Sequence, residues 1–105
     1  MEATYALVLT TCGDSASAEL IATTLIEKRL AACVQIFPIS SFYEWEGAVQ
    51  HAQELMLFCK IKSIDYADVE AAIQAVHSYA IPEIVQVAIE KGAQSYLSWI
   101  ASVTR

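Results

Sequence analysis

Residues 33–61, CVQIFPISSFYEWEGAVQHAQELMLFCKI, decide the fold of this 105-residue chain. Val34 and Ile36 share one parity, and after Pro38 the larger apolar residues Ile39, Tyr43 and Trp45 fall on the other. Period-two alternation of this kind is the mark of a β-strand. Proline cannot donate to a sheet ladder, so a bulge or bend is expected near Pro38. Glu46-Gly47 is the turn, because glycine tolerates positive φ. Ala48 to Ile61 then returns as a second strand. Its latter half, Leu55-Met56-Leu57-Phe58-Cys59, is apolar on both faces, as a central strand would be.

The flanking segments complete a pattern around this hairpin. Tyr5 to Thr11 is β-branched and apolar and reads as a buried strand, broken by Gly13-Asp14-Ser15. Asp14 or Ser15 can cap a helix running to about Leu30, with Ala18, Ile21, Ala22, Leu25 and Ile26 as its apolar stripe. A second helix is expected over Ser63 to about His77, with Tyr66, Val69, Ile73 and Val76 inward. Ile84 to Ile89 is a fourth strand, and Tyr96, Trp99, Ile100 and Val103 mark a short terminal helix. The order β-α-β-β-α-β plus a helix is that of the α+β, ferredoxin-like split βαβ fold. Residues 1–105 form a single domain on this reading. Helices are expected to cover one face of a four-stranded antiparallel sheet, leaving the other face open, with a partner subunit as its simplest cover.

Composition supports a partner. Apolar residues make up 56% of the chain, more than an average globular domain carries. A domain this small hides only about two-thirds of its unfolded surface. Between Ala31 and Cys59 there are three acids and no lysine or arginine, so this hairpin is the candidate for subunit contacts.

Twelve acids against six bases give a net charge of −6. Phosphate recognition needs clustered lysine and arginine, so nucleic acid is excluded as a partner, as is an anionic membrane surface. No apolar run is long enough to span a bilayer. Met1-Glu2-Ala3 lacks the basic start of a secretory leader. Three cysteines, Cys12, Cys33 and Cys59, are an odd number without a C-x-x-C pair. They read as free thiols in a reducing compartment, which points to the cytoplasm.

The candidate chemistry gathers near His77-Ser78-Tyr79-Ala80-Ile81-Pro82-Glu83. An imidazole and a carboxylate six residues apart on irregular chain can converge on a divalent ion, and a thiol such as Cys12, at the end of the first strand, would favour copper or zinc. The plainer reading is a helix-terminal histidine and a surface glutamate. A Cys–His nucleophilic pair from Cys12 or Cys33 with His77 lacks any sign of an oxyanion hole, so no enzymatic activity is expected, and Cys33 fits a small core residue. Phe42, Tyr43 and Trp45 can stack on a ligand, but more simply anchor a neighbouring subunit. Lys60 can face a ligand, or reach solvent or Glu54.

Together these segments resemble the CutA family of divalent-cation tolerance proteins. The resemblance rests on Lys28-Arg29-Leu30-Ala31-Ala32-Cys33-Val34, Pro38, Ser41-Phe42-Tyr43-Glu44-Trp45-Glu46-Gly47, Glu54 with Lys60, His77-x-Tyr79-x-x-Pro82-Glu83-Ile84, and Tyr96-Leu97-x-Trp99-Ile100. It covers nearly the whole chain. It implies a ferredoxin-like fold, a homotrimer akin to PII-type signalling proteins, a cytoplasmic location and a link to copper and other divalent cations, with no obligatory cofactor. It places metal contacts on His77 and Glu83, with Cys12 near the position where some members carry a first-strand cysteine. That position is Thr10 here. Cys33, Tyr43, Trp45, Glu54, Lys60 and Tyr79 are the further cleft candidates. Gln35, Ile39, Ile61 and Ser78 also depart from the family's usual residues, and Gln35 and Ser78 fall at polar or loop positions that any shared ligand site would use. The other function class compatible with these features is a PII-like adaptor that binds a small molecule or protein partner in clefts between subunits.

Overall fold

A computed structural model describes residues 5–105. Residues 1–4, which carry the expectation of no secretory leader, lie outside the described residues. The elements run β1 (Tyr5–Cys12), α1 (Ser15–Glu27), β2 (Ala31–Trp45), β3 (Ala48–Lys62), α2 (Tyr66–Val76), β4 (Ile84–Ile89) and α3 (Gln94–Val103). The strands form one antiparallel sheet in the order β2-β3-β1-β4. This is the ferredoxin-like order expected from the sequence, with β3 central.

Alternation decides which side of the sheet is buried. Ala6 and Val8 of β1 pair beside Leu57, Cys59 and Ile61 of β3, and all five are buried. Ile21 and Leu25 of α1 and Val69 and Ile73 of α2 close over them as one apolar cluster. Burying each such aliphatic side chain contributes on the order of 1.5–3 kcal/mol. The opposite parity presents Leu7, Leu9, Phe58, Val85 and Val87 on the second face, where Val85 and Val87 are exposed. Both main helices therefore lie on one face. The terminal helix does not: Tyr96 of α3 receives a hydrogen bond from Lys60, whose parity puts it on the second face, so α3 covers one corner of that side.

α1 is shorter than the expected run to about Leu30. Asp14 caps its start, its Oδ1 accepting from Ser17 N at 2.7 Å. At its end Arg29 has φ +58°, and Leu30 N and Arg29 N donate back to Leu25 O and Ile26 O. This is a Schellman stop made with arginine where glycine is usual. It ends the helix at Glu27; Ile26, within the helix, is exposed rather than part of the buried stripe. The expected start of the second helix, Ser63–Asp65, is a 3₁₀ turn leading into α2.

The irregularity of β2 lies elsewhere than at Pro38. Its register shifts between Ala31 and Cys33, whereas Pro38 sits opposite Leu55 in an unbroken ladder. β2 is an edge strand, and an edge tolerates a residue with no N–H. Beyond Leu55 the partner β1 stops at Cys12, so seven β2–β3 pairs, Ile39↔Glu54 to Trp45↔Ala48, continue as a two-stranded arm. At about 3.4 Å per residue the overhang reaches on the order of 20 Å. Glu46 (φ +52°) and Gly47 (φ +82°) close it, the two consecutive positive φ values of a type I′ hairpin turn. Glu44 Oε2 accepts from Gly47 N and secures the turn.

Candidate functional site

A groove of about 680 Å³ opens where β1 ends and the arm begins. Its walls come from three places. Thr11 belongs to β1. Ser40, Ser41, Phe42, Tyr43, Trp45 and Glu54 belong to the arm. Tyr79, Ala80, Ile81 and Glu83 belong to the segment between α2 and β4. Pro82 keeps that segment out of helix, because it lacks the N–H and disfavours helical geometry before it.

Two contacts hold the segment against the arm and β1. Tyr79 donates its hydroxyl to Glu54 Oε2 at 2.7 Å. A Cβ on Gly13 would come within 3.3 Å of that hydroxyl, so the glycine makes room for it. Partial burial, and then the Glu54 carboxylate, push the Tyr79 phenol well above its ordinary pKa, because both disfavour a phenolate there. The other contact is His77. Its Nδ1 accepts from Tyr79 N at 3.0 Å, and its Nε2 lies 2.8 Å from Thr11 O. A backbone N–H can only donate, so Nδ1 is the unprotonated nitrogen and Nε2–H donates to the Thr11 carbonyl. The ring is thereby a neutral clamp between residues 66 positions apart.

The fold brings some of the sequence candidates together and separates others. Tyr43, Trp45, Glu54, Tyr79 and Glu83 line one groove. His77 stands behind it, with both ring nitrogens engaged by backbone. Cys12 is fully buried, and its Sγ points at Asp14 O 3.7 Å away. Burial raises its pKa, which keeps it a thiol rather than a thiolate ligand. Lys60 lies away from the groove. It donates to Gln35 Oε1 at 2.8 Å and Tyr96 Oη at 3.3 Å, and not to Glu54, whose partner is Tyr79. Cys33 is half-buried opposite Lys60 and is not part of the core cluster. Thr10, at the altered first-strand position, is buried with no hydrogen-bond partner for its hydroxyl among the described residues, and its parity directs it to the helix-covered face.

Among the described residues no three histidine, cysteine, aspartate or glutamate side chains converge as metal ligands. Holding an ion with His77 would require breaking its bond to Tyr79 or to Thr11. Among the described residues, the carboxylates Glu54 and Glu83 are the anionic groups of the groove, and no lysine, arginine or histidine lines it. Sequence reading missed Thr11, Ser40, Ser41, Ala80 and Ile81 as groove walls. Small and hydroxyl residues carry no signal until the strand ends that bring them together are known.

Comparison with known proteins agrees with this architecture. Residues 6–103 match the family described as CutA1 divalent ion tolerance protein. The chain is 47% identical over 83 residues to the divalent-cation tolerance protein CutA of Archaeoglobus fulgidus, covering 79% of this chain and 81% of that one. It is 39% identical to the Thermus thermophilus protein of the same name, over 93% of this chain and 96% of that one. The zebrafish CutA homolog is longer, and the chain spans 65% of it. Among solved structures, the A. fulgidus protein, described as periplasmic, superposes with a TM-score of 0.92 at 40% identity, covering 94% of this chain and 97% of that one. CutA1 from Oryza sativa superposes with a TM-score of 0.94 at 33% identity, covering 97% and 94%.

Proposed function

This chain belongs to the CutA1 divalent ion tolerance family, and from that premise we propose that it serves divalent-cation tolerance as a non-enzymatic homotrimer. It binds copper or a similar divalent ion weakly, through the groove carboxylates Glu54 and Glu83 and not through a resident centre. The observation that carries the family role is the match over residues 6–103. The weakness of binding follows from the site itself: two carboxylates, one of them engaged by Tyr79, are few ligands for a divalent ion. A net charge of −6 per chain adds a general attraction for cations.

The trimer is supported by surface that one chain leaves uncovered. Val85 and Val87 on the second sheet face, and Phe42, Tyr43, Trp45 and Val49 on the arm, are all exposed. Apolar area of this extent on a small protein marks an interaction surface. Three unpaired cysteines support a reducing compartment such as the cytoplasm.

Two measurements test the proposal. Copper(II) titration of the metal-free protein should give weak, saturable binding that is lost in a Glu54→Gln, Glu83→Gln variant and kept in His77→Ala. Saturable binding that survives the double substitution, or that needs His77, would move the site. Light scattering should give three times the 11.5 kDa chain mass. A monomer at micromolar concentration would rule out the trimer.

A further inference from the structure

We propose that Thr104 and Arg105 form an ionic strap that holds α3 on the sheet, with a grip set by ionic strength. The inference goes beyond the cation-tolerance reading and depends on neither its metal nor its trimer. α3 has a narrow apolar anchor. Ile100 is fully buried, whereas Tyr96 and Trp99 are 40% and 42% exposed. A ten-residue helix is marginal on its own, so contacts with the rest of the chain must hold it in place. The two residues that follow the helix supply such contacts.

Thr104 is buried and donates its hydroxyl to Ile100 O at 2.7 Å, which closes the last turn. Arg105 then engages three elements at the end of the sheet opposite the arm. Its backbone N–H donates to Arg29 O at 2.9 Å, in the turn after α1. Its carbonyl accepts from Lys62 Nζ at 2.9 Å, at the end of β3. Its guanidinium donates to Asp68 Oδ2 and lies 3.6 Å from Asp65 Oδ1, at the start of α2. Exposed ion pairs contribute little, and the pair with Asp68 is of that kind. The Asp65 side chain, by contrast, is 13% exposed, and its Oδ2 is buried with no hydrogen-bond partner among the described residues. A carboxylate so placed is costly without a cation, and Arg105 is the cation beside it. The strap therefore holds by charge as well as by backbone bonds, and salt weakens the charged part. None of its residues belongs to the surfaces assigned above to subunit contact.

Amide hydrogen exchange along α3 tests this in the intact chain, with the Ile21 and Leu25 amides of α1 as an internal reference. Raising sodium chloride from about 0.1 M to about 1 M shortens the screening length from roughly 10 Å to roughly 3 Å. In the unaltered protein that step should quicken α3 exchange about threefold or more while the reference stays level. Arg105→Gln should quicken α3 about tenfold or more and abolish its salt dependence. In an Asp65→Asn, Asp68→Asn background the same Arg105→Gln change should quicken α3 by less than about twofold, because the charges it answers are gone. Exchange in α3 unchanged by Arg105→Gln would overturn the strap. So would salt-independent exchange in the unaltered chain, or equal quickening of α1 and α3, which marks general unfolding. Light scattering of the same samples reads the trimer separately, so either proposal can fail alone.

Discussion

The two halves of the β2–β3 hairpin are made of the same paired strands but meet different surroundings. In the body, residues 55–61 of β3 run between β2 and β1 beneath α1 and α2, and Leu57, Cys59 and Ile61 are fully buried. In the arm, from Ile39↔Glu54 outward, no residue is fully buried and Val49 is 80% exposed. Backbone pairing is continuous across both, so hydrogen bonding does not distinguish them. What differs is whether a third layer covers the side chains. The body uses its apolar residues for stability, and the arm leaves its own available to a ligand or another copy of the chain.

That contrast is most sharply tested by truncating one side chain in each half. Leu57→Ala should cost roughly 2–5 kcal/mol in urea unfolding. Val49→Ala should stay within about 0.5 kcal/mol for the fold itself, with any larger effect appearing in assembly. Equal losses would erase the distinction.

The body should also resist thiol chemistry. Burial raises the Cys59 thiol to about 12, whereas the unfolded chain's thiol titrates near the ordinary value of 9.0. Because the folded pKa is the higher one, this contribution to stability is complete below pH 9. It declines as pH rises from there toward 12. Denaturant midpoints should therefore fall with pH across that window, and less so in Cys59→Ala. Alkylation at pH 8 should modify half-buried Cys33 before Cys12 or Cys59.

The boundary between the halves depends on the His77 clamp. His77→Ala removes both backbone bonds and should cost about 1–3 kcal/mol. Hydrogen exchange should then quicken at the Tyr79 amide, with little change in the middle of β3. At the arm's tip, Gly47→Ala forces a Cβ into positive φ and should cost about 1 kcal/mol, with the loss confined to the hairpin end.

Strands, helices and their order were legible in the sequence, because period-two and helical spacing record burial residue by residue. A cap at Asp14 or Ser15 and the Glu46-Gly47 turn were also legible, each being a local rule, and the structure settles the cap on Asp14. Local reading failed where a distant partner decided the outcome. Pro38 looked like a break but is harmless on an edge strand, and the real bulge at Ala31–Cys33 has no compositional mark. Ile26 belongs to the apolar stripe by spacing, yet it is exposed while Ile21 and Leu25 of the same helix are buried. At the groove, Tyr43, Trp45, Glu54, Tyr79 and Glu83 were recognisable as residue types able to bind something. The role of His77 was not, since Thr11 lies 66 residues away. Spacing allowed a metal ligand or, more plainly, a helix-terminal histidine, and the folded chain makes that histidine a fastener.

The position of β1 in the middle of the sheet sets a sequence of events during folding. Thr10 faces Leu57 on one side and Ile84 on the other, partners 47 and 74 residues distant. The hairpin, by contrast, pairs residues that are neighbours across a two-residue turn. Closing a long loop costs entropy that no contact repays until the ends meet. The strand that comes earliest in this sequence is thus a late one to find its place. The sheet assembles around a ready-made hairpin, with β1 sliding in as the keystone between two partners that must already be near each other.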